Sequence, residues 1–268
     1  MESPHFKYFV GHKKPEFPIW NNFTFYEVDK TSNVSINSSF KKNSLNDKVF
    51  GEYSSLFALK NELKSKKEEG GLITICQYRR FVFNKKLGRQ SDVMPWARVL
   101  SQNEVLSMDV QNEFLPLRNN LYLIGSAIQI PSILVQYSQH HFLRDILKFS
   151  SILIDAEILP NETVLDFLNQ PYLIPSPSIG TFTLKSFIEI FDMLELAANR
   201  FWNAGYRPYE DPYQCRVIGF LLERLNSYLL ISYLNESSLN INDLFGCTTM
   251  VSAVSASNND VQRGLVEL

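Results

Sequence analysis

The sequence predicts an α/β fold, with a mostly parallel sheet first and a helix-rich C-terminal half after it. Three observations lead there. Residues 6–10 (Phe-Lys-Tyr-Phe-Val) alternate as a short strand and stop at the turn Gly11-His12-Lys13-Lys14-Pro15. Residues 52–64 place Tyr53, Leu56, Phe57, Lys60 and Leu63 near helical spacing. Gly70-Gly71 then turns the chain into a second strand, Leu72-Ile-Thr-Ile-Cys76. Strand, loop, helix and strand in that order suit parallel pairing across a helical crossover.

Between those elements, residues 21–46 are rich in Asn, Ser and Lys and read as a long loop, a length usual for functional segments. Beyond Asn84 the pattern turns helical. Ser101-Gln-Asn-Glu104 carries a capping box, and residues 137–159, 186–202 and 213–234 each read as a long helix. Small polar residues from Val251 to Asn259 suggest a weakly ordered tail. The expected organisation is one domain over residues 1–245 and a tail over 246–268.

The chain has 268 residues, 45% of them hydrophobic, enough to build a substantial core. A formal net charge of −2 argues against a general nucleic-acid binder, which needs a basic stripe to neutralise phosphates. Cys76, Cys215 and Cys247 are an odd, widely spaced set without metal-ligand spacing, as expected of reduced thiols in the cytoplasm. No signal peptide is expected at the N-terminus. The most apolar long window, residues 121–137, is broken by Gly125, Ser126, Gln129, Pro131 and Ser132. The expectation is a soluble protein, or one resting on a membrane surface.

Gln77-Tyr78-Arg79-Arg80 directly follows the second strand. Ligands of α/β sheets sit beyond the carboxyl ends of strands, and arginine offers a planar fork that matches phosphate or carboxylate. Equally, two arginines there could pair with local acids at an edge. The basic turn around His12 and Lys13 sits where a nucleotide-binding fold places its first ligand loop, and reads equally well as a solvated turn. In Tyr137-Ser-Gln-His-His141-Phe-Leu-Arg-Asp145, continuous helix would put Tyr137, His141 and Asp145 on one face. A carboxylate beside an imidazole orients it for acid/base work, although a plain surface pair fits the spacing too. In Gly219-Phe-Leu-Leu-Glu-Arg-Leu225, Glu223 and Arg224 lie inside an apolar helix, where a carboxylate must be paired or turned into a cleft.

Taken in order, these pieces resemble a bacterial capsular and exopolysaccharide glycosyltransferase family with a His-Tyr-Arg-Arg-Tyr-Phe signature. The matching stretches are Val10–Lys14, Asn33–Asn37, Lys42-Asn43, Glu52–Asn61, Gln77–Val82, Tyr137/His141/Asp145 and Gly219–Leu225, spanning roughly residues 6 to 235. The resemblance implies a GT-A-like transferase that extends a surface polysaccharide from a nucleotide-sugar donor, a UDP-sugar first among candidates. It implies a glycan or lipid-linked glycan as acceptor, and work in the cytoplasm or at the inner face of the plasma membrane. Donor contacts would come from His12, Lys13, Gln77, Tyr78, Arg79, Arg80, Tyr137 and Arg224, with Arg79 and Arg80 at the diphosphate. Catalysis would fall to His141, Asp145 and Glu223. The signature histidine is Gln77 here, which hydrogen-bonds but exchanges no proton. That departure keeps open a non-catalytic sugar-binding or partner subunit of a polysaccharide assembly complex. Many GT-A enzymes hold Mg²⁺ or Mn²⁺ through Asp-x-Asp. Only Asp155-Ala-Glu157 approaches that pattern, so a divalent metal stays open and arginines in its place are favoured.

Overall fold

The computed structural model describes residues 4–11, 14–15, 17, 20, 22–26, 49–66, 70–108, 112–117, 120–236 and 244–252. Among them a nine-stranded sheet runs in the order β2-β1-β3-β10-β7-β11-β6-β5, with β4 also paired to β11. The strands are β1 His5–Val10, β2 Thr24–Tyr26, β3 Leu72–Cys76, β4 Arg80–Phe83, β5 Arg89–Gln90, β6 Ala97–Ser101, β7 Leu123–Gly125, β10 Gly180–Thr183 and β11 Phe245–Ser252. A two-stranded ribbon joins β8 Ile128–Gln129 to β9 Tyr172–Leu173. The ladders set β1, β2, β3, β6, β7 and β11 in one direction and β4, β5 and β10 against them. The sheet is therefore mostly parallel, as the sequence predicts.

Seven helices are described: α1 Tyr53–Ser65, α2 Gln102–Ser107, α3 Ile133–His140, α4 Leu143–Asp155, α5 Asn161–Asn169, α6 Leu184–Asn203 and α7 Val217–Glu236. The expected capping box at Ser101 and Glu104 forms in full at the start of α2. Strand alternation divides the interior in two. Val10, Ile73, Ile75 and Phe182 face a large core with α1 and α3–α7. Phe9, Cys76, Phe81 and Phe83 face an aromatic layer with Phe17, Trp20, Phe23 and Phe114. Buried Lys60 on α1 is neutralised by Asp192 and Glu195 of α6, which fastens the two helices together. The stretch 214–236 is long and apolar enough to cross a membrane, but most of it is buried inside the fold.

Four expectations are corrected. The tail expected from residue 246 is, as far as Ser252, the strand β11. It carries β7 and β4 along one edge and β6 along the other. Its buried Thr248 and Thr249 satisfy the ladder that a polar tail would leave open. The expected helix over 137–159 is two helices, because His141 leaves the helical region (φ −138°, ψ 171°). The helical reading beyond Asn84 missed β5–β10. Within the loop expected over 21–46, Thr24–Tyr26 pairs with β1 as β2; residues 27–46 lie outside the described residues.

Candidate functional site

β3 ends at Cys76, and a tight turn carries the chain into β4, with Gln77 and Arg80 exchanging backbone hydrogen bonds of 3.0 and 3.3 Å. That turn forms one wall of a cleft. Its other walls are the start of α1 (Phe50, Gly51, Glu52, Tyr53), Ser176, and the start of α7 (Arg216, Gly219, Phe220, Glu223). At Gly219 the two segments approach closely: an added Cβ would lie 3.3 Å from the Phe50 carbonyl oxygen, a tight contact. The cleft holds about 140 Å³, roughly ten times the ~10–15 Å³ of cavity that one water needs on the same measure.

The electrostatics are mixed but ordered. Arg79, Arg80 and Arg216 supply three guanidinium groups, and the first turns of α1 and α7 bring their positive dipole ends to the same space. Arg80 is buried, at 8% exposure, and its Nη1 donates to Ser176 Oγ at 3.1 Å. Burial lowers its pKa. Arg79 is half-buried and stacks at 5.2 Å over the Tyr78 ring. Arg216 lies 5.5 Å over Phe220. Gln77 is 8% exposed, and its amide Nε2 has no hydrogen-bond partner among the described residues. A buried donor left open at a cleft wall suits an oxygen-rich ligand.

Two carboxylates join them. Glu223 Oε2 accepts from Arg224 Nη1 at 2.9 Å and its Oε1 accepts from the Ser176 amide at 3.3 Å. Glu52 Oε1 accepts from Ser178 Oγ at 2.6 Å. Burial raises the Glu52 carboxyl above the usual range, with the Ser178 hydrogen bond and Arg80 pulling the other way.

The remaining expected site residues lie elsewhere. Arg224 is buried behind the cleft, donating through Nε and Nη2 to Gln136 Oε1 at 3.2 and 3.1 Å, with its guanidinium 5.7 Å from the Tyr137 ring. Tyr137 is fully buried. His141 stacks on Phe220 at 4.1 Å and on Tyr213 at 5.5 Å, and its Nδ1 lies 3.3 Å from Gln214 Oε1. Burial, then the nearby Arg224 charge, lowers its pKa to about 3. Asp145 accepts instead from the Tyr209 hydroxyl at 2.9 and 3.1 Å. The expected His141–Asp145 pair is thus corrected: the chain breaks between α3 and α4, and each residue takes its own partner. His12 and Lys13 lie outside the described residues.

No family model and no curated protein matches the chain. The apo structure of WbbM, a bifunctional glycosyltransferase, superposes with a TM-score of 0.68 at 15% sequence identity. The match covers 93% of this chain and 46% of WbbM, so the chain spans less than half of that protein.

The chain shares the fold of that structure.

Within this shared fold, the cleft lies at the carboxyl end of β3, where α/β sheets bind ligands. Asp155 is the last residue of α4 and Glu157 follows it with φ 54°; neither lines the cleft. Among the described residues no three His, Cys, Asp or Glu side chains gather as a metal site. The cleft brings the Gln77–Arg80 turn and Glu223, which the sequence singled out, together with Glu52, Arg216 and Ser176, which it did not; Ser178 joins them through Glu52, and packing between distant segments places all four.

Proposed function

We propose that this protein is a glycosyltransferase that moves a sugar from a nucleotide-sugar donor, a uridine diphosphate sugar, to a growing surface polysaccharide. The observation that carries the reading is the convergence of Arg79, Arg80, Arg216 and two helix N-termini on one cleft, in a chain with this fold. When the anomeric bond to the diphosphate breaks, negative charge grows on the leaving oxygen. Fixed cations and backbone dipoles already aimed there stabilise it without reorganising. Arg80, locked by Ser176, supplies the fixed charge, and half-buried Arg79 reaches the more exposed phosphate. The open amide of Gln77 donates to a sugar hydroxyl or a phosphate oxygen. The acceptor is a glycan or a lipid-linked glycan, and a lipid-linked one would bring the enzyme to the inner face of the plasma membrane.

The test is a melting experiment with UDP and a panel of UDP-sugars. The parent protein is expected to melt at higher temperature with ligand, as any species that binds only the native state requires. Arg79→Ala should lose most of that shift while melting normally without ligand, since the described structure gives its side chain no ion pair to break. Equal shifts in parent and variant would remove the diphosphate role.

A further inference from the structure

We propose that Glu52 takes the proton from the attacking acceptor hydroxyl, and that Ser178 is its positioning residue. This rests on the glycosyltransferase reading above. Glu52 immediately precedes α1, yet its side chain makes no capping hydrogen bond to that helix. It reaches the loop Pro175-Ser176-Pro177-Ser178 instead, where Ser178, fully buried, grips one oxygen. The second oxygen, Oε2, carries no hydrogen bond within the described residues and belongs to a residue of the cleft wall.

The alternatives are less free. Both oxygens of Glu223 are taken, by Arg224 and by the Ser176 amide. His141 is clamped between aromatic rings and does not line the cleft. A general base needs an open lone pair and a pKa lifted towards the working pH. The groups facing Glu52 are Ser178 and three charged side chains: Arg80 on β4, Glu223 on α7 and Arg216 just before α7. Burial and Glu223 raise its pKa while Ser178, Arg80 and Arg216 lower it, with a raised value as the net result.

The loop itself is built for this task. Ser176 sits at φ 54°, a left-handed conformation that a non-glycine residue holds only where its surroundings enforce it. From there its hydroxyl accepts from Arg80 and its amide donates to Glu223, while Ser178 donates to Glu52. One four-residue loop thus sets the cation at the leaving group and both carboxylates. In the step, an acceptor hydroxyl oxygen forms a bond to the anomeric carbon as its proton passes to Glu52 Oε2. The bond from that carbon to the diphosphate oxygen breaks, and its electron pair leaves with the nucleoside diphosphate.

The experiment measures release of nucleoside diphosphate from UDP-glucose, UDP-galactose and UDP-N-acetylglucosamine, with water as acceptor, alongside ligand-induced melting shifts. Glu52→Gln should keep the parent's shift with UDP and lose about 10²–10⁴-fold in turnover. Ser178→Ala removes the hydrogen bond that favours the charged form, so the acidic limb of its turnover profile should move to higher pH with binding retained. Parental turnover in Glu52→Gln, loss of UDP binding in it, or an unmoved limb in Ser178→Ala would each overturn the assignment and leave the glycosyltransferase reading standing. A parent that neither binds nor cleaves any probe would overturn both.

Discussion

Glu223 and Arg224 are chain neighbours with different surroundings. Arg224 is buried and hydrogen-bonds Gln136 and the Phe220 carbonyl; Glu223 keeps 23% of its side chain exposed at the cleft. The sequence alone posed a choice between a structural pair and a cleft carboxylate, and the residue is both. Glu223→Gln keeps an acceptor for the Ser176 amide but removes the charge facing Arg224. The expected loss in a urea melt is about 1–3 kcal/mol, as for a charged hydrogen bond, below the 3–5 kcal/mol or so of a fully buried pair. His141 gives a pH prediction. Its folded pKa of about 3 lies below the 6.5 of an unperturbed imidazole, so the unfolded chain binds more protons between those values. Its contribution is complete above pH 6.5 and is lost as pH falls towards 3. His5, lowered to about 4 mainly by burial, acts in the same sense, whereas the raised Asp145 acts in the opposite one. His141→Phe keeps a ring between Tyr213 and Phe220 without the titration. Its stability should therefore drop less than the parent's between about pH 7.5 and 5 in paired urea melts.

The α3–α4 break and β11 show what periodicity could not reveal. Nothing between Tyr137 and Asp145 is Gly or Pro, so the apolar pattern runs on through the corner at His141. What breaks the helix is long-range: His141 docks on Phe220 and Tyr213, and Asp145 on Tyr209. In β11, Cys-Thr-Thr-Met-Val carries β-branched residues that favour strands, but the neighbouring polar stretch masks it. Local signals were sufficient for β1, α1, β3 and the capping box of α2, each fixed by residues within a few positions of one another. Gly246 tests the β11 assignment. A Cβ there would come within 2.5 Å of the Phe83 carbonyl oxygen, 2.6 Å of Leu123 Cδ1 and 2.7 Å of Val82 Cγ1. Gly246→Ala should cost at least the roughly 1–3 kcal/mol typical of overpacking, read from its melting curve. A variant melting like the parent would show that β11 does not seat as described.

Across the whole molecule, the sheet order and the cleft share one origin: both join segments far apart in the chain. The Gln77–Arg80 turn was legible because its chemistry is local, whereas Glu52, Ser176, Ser178 and Arg216 meet it only after folding. β11 makes the same point in time rather than space. Residues 245–252 bond to strands that begin at residues 80, 97 and 123, and they bridge β7 to β6. Until those eight residues have left the ribosome, β6 and β7 have no strand between them. The nascent chain must therefore wait with β4, β6 and β7 exposing unpaired edges, a state that invites chaperones and aggregation. Closing contacts of such long separation is slow, so assembly of this sheet is an event that follows synthesis of β11 rather than one that accompanies growth of the chain.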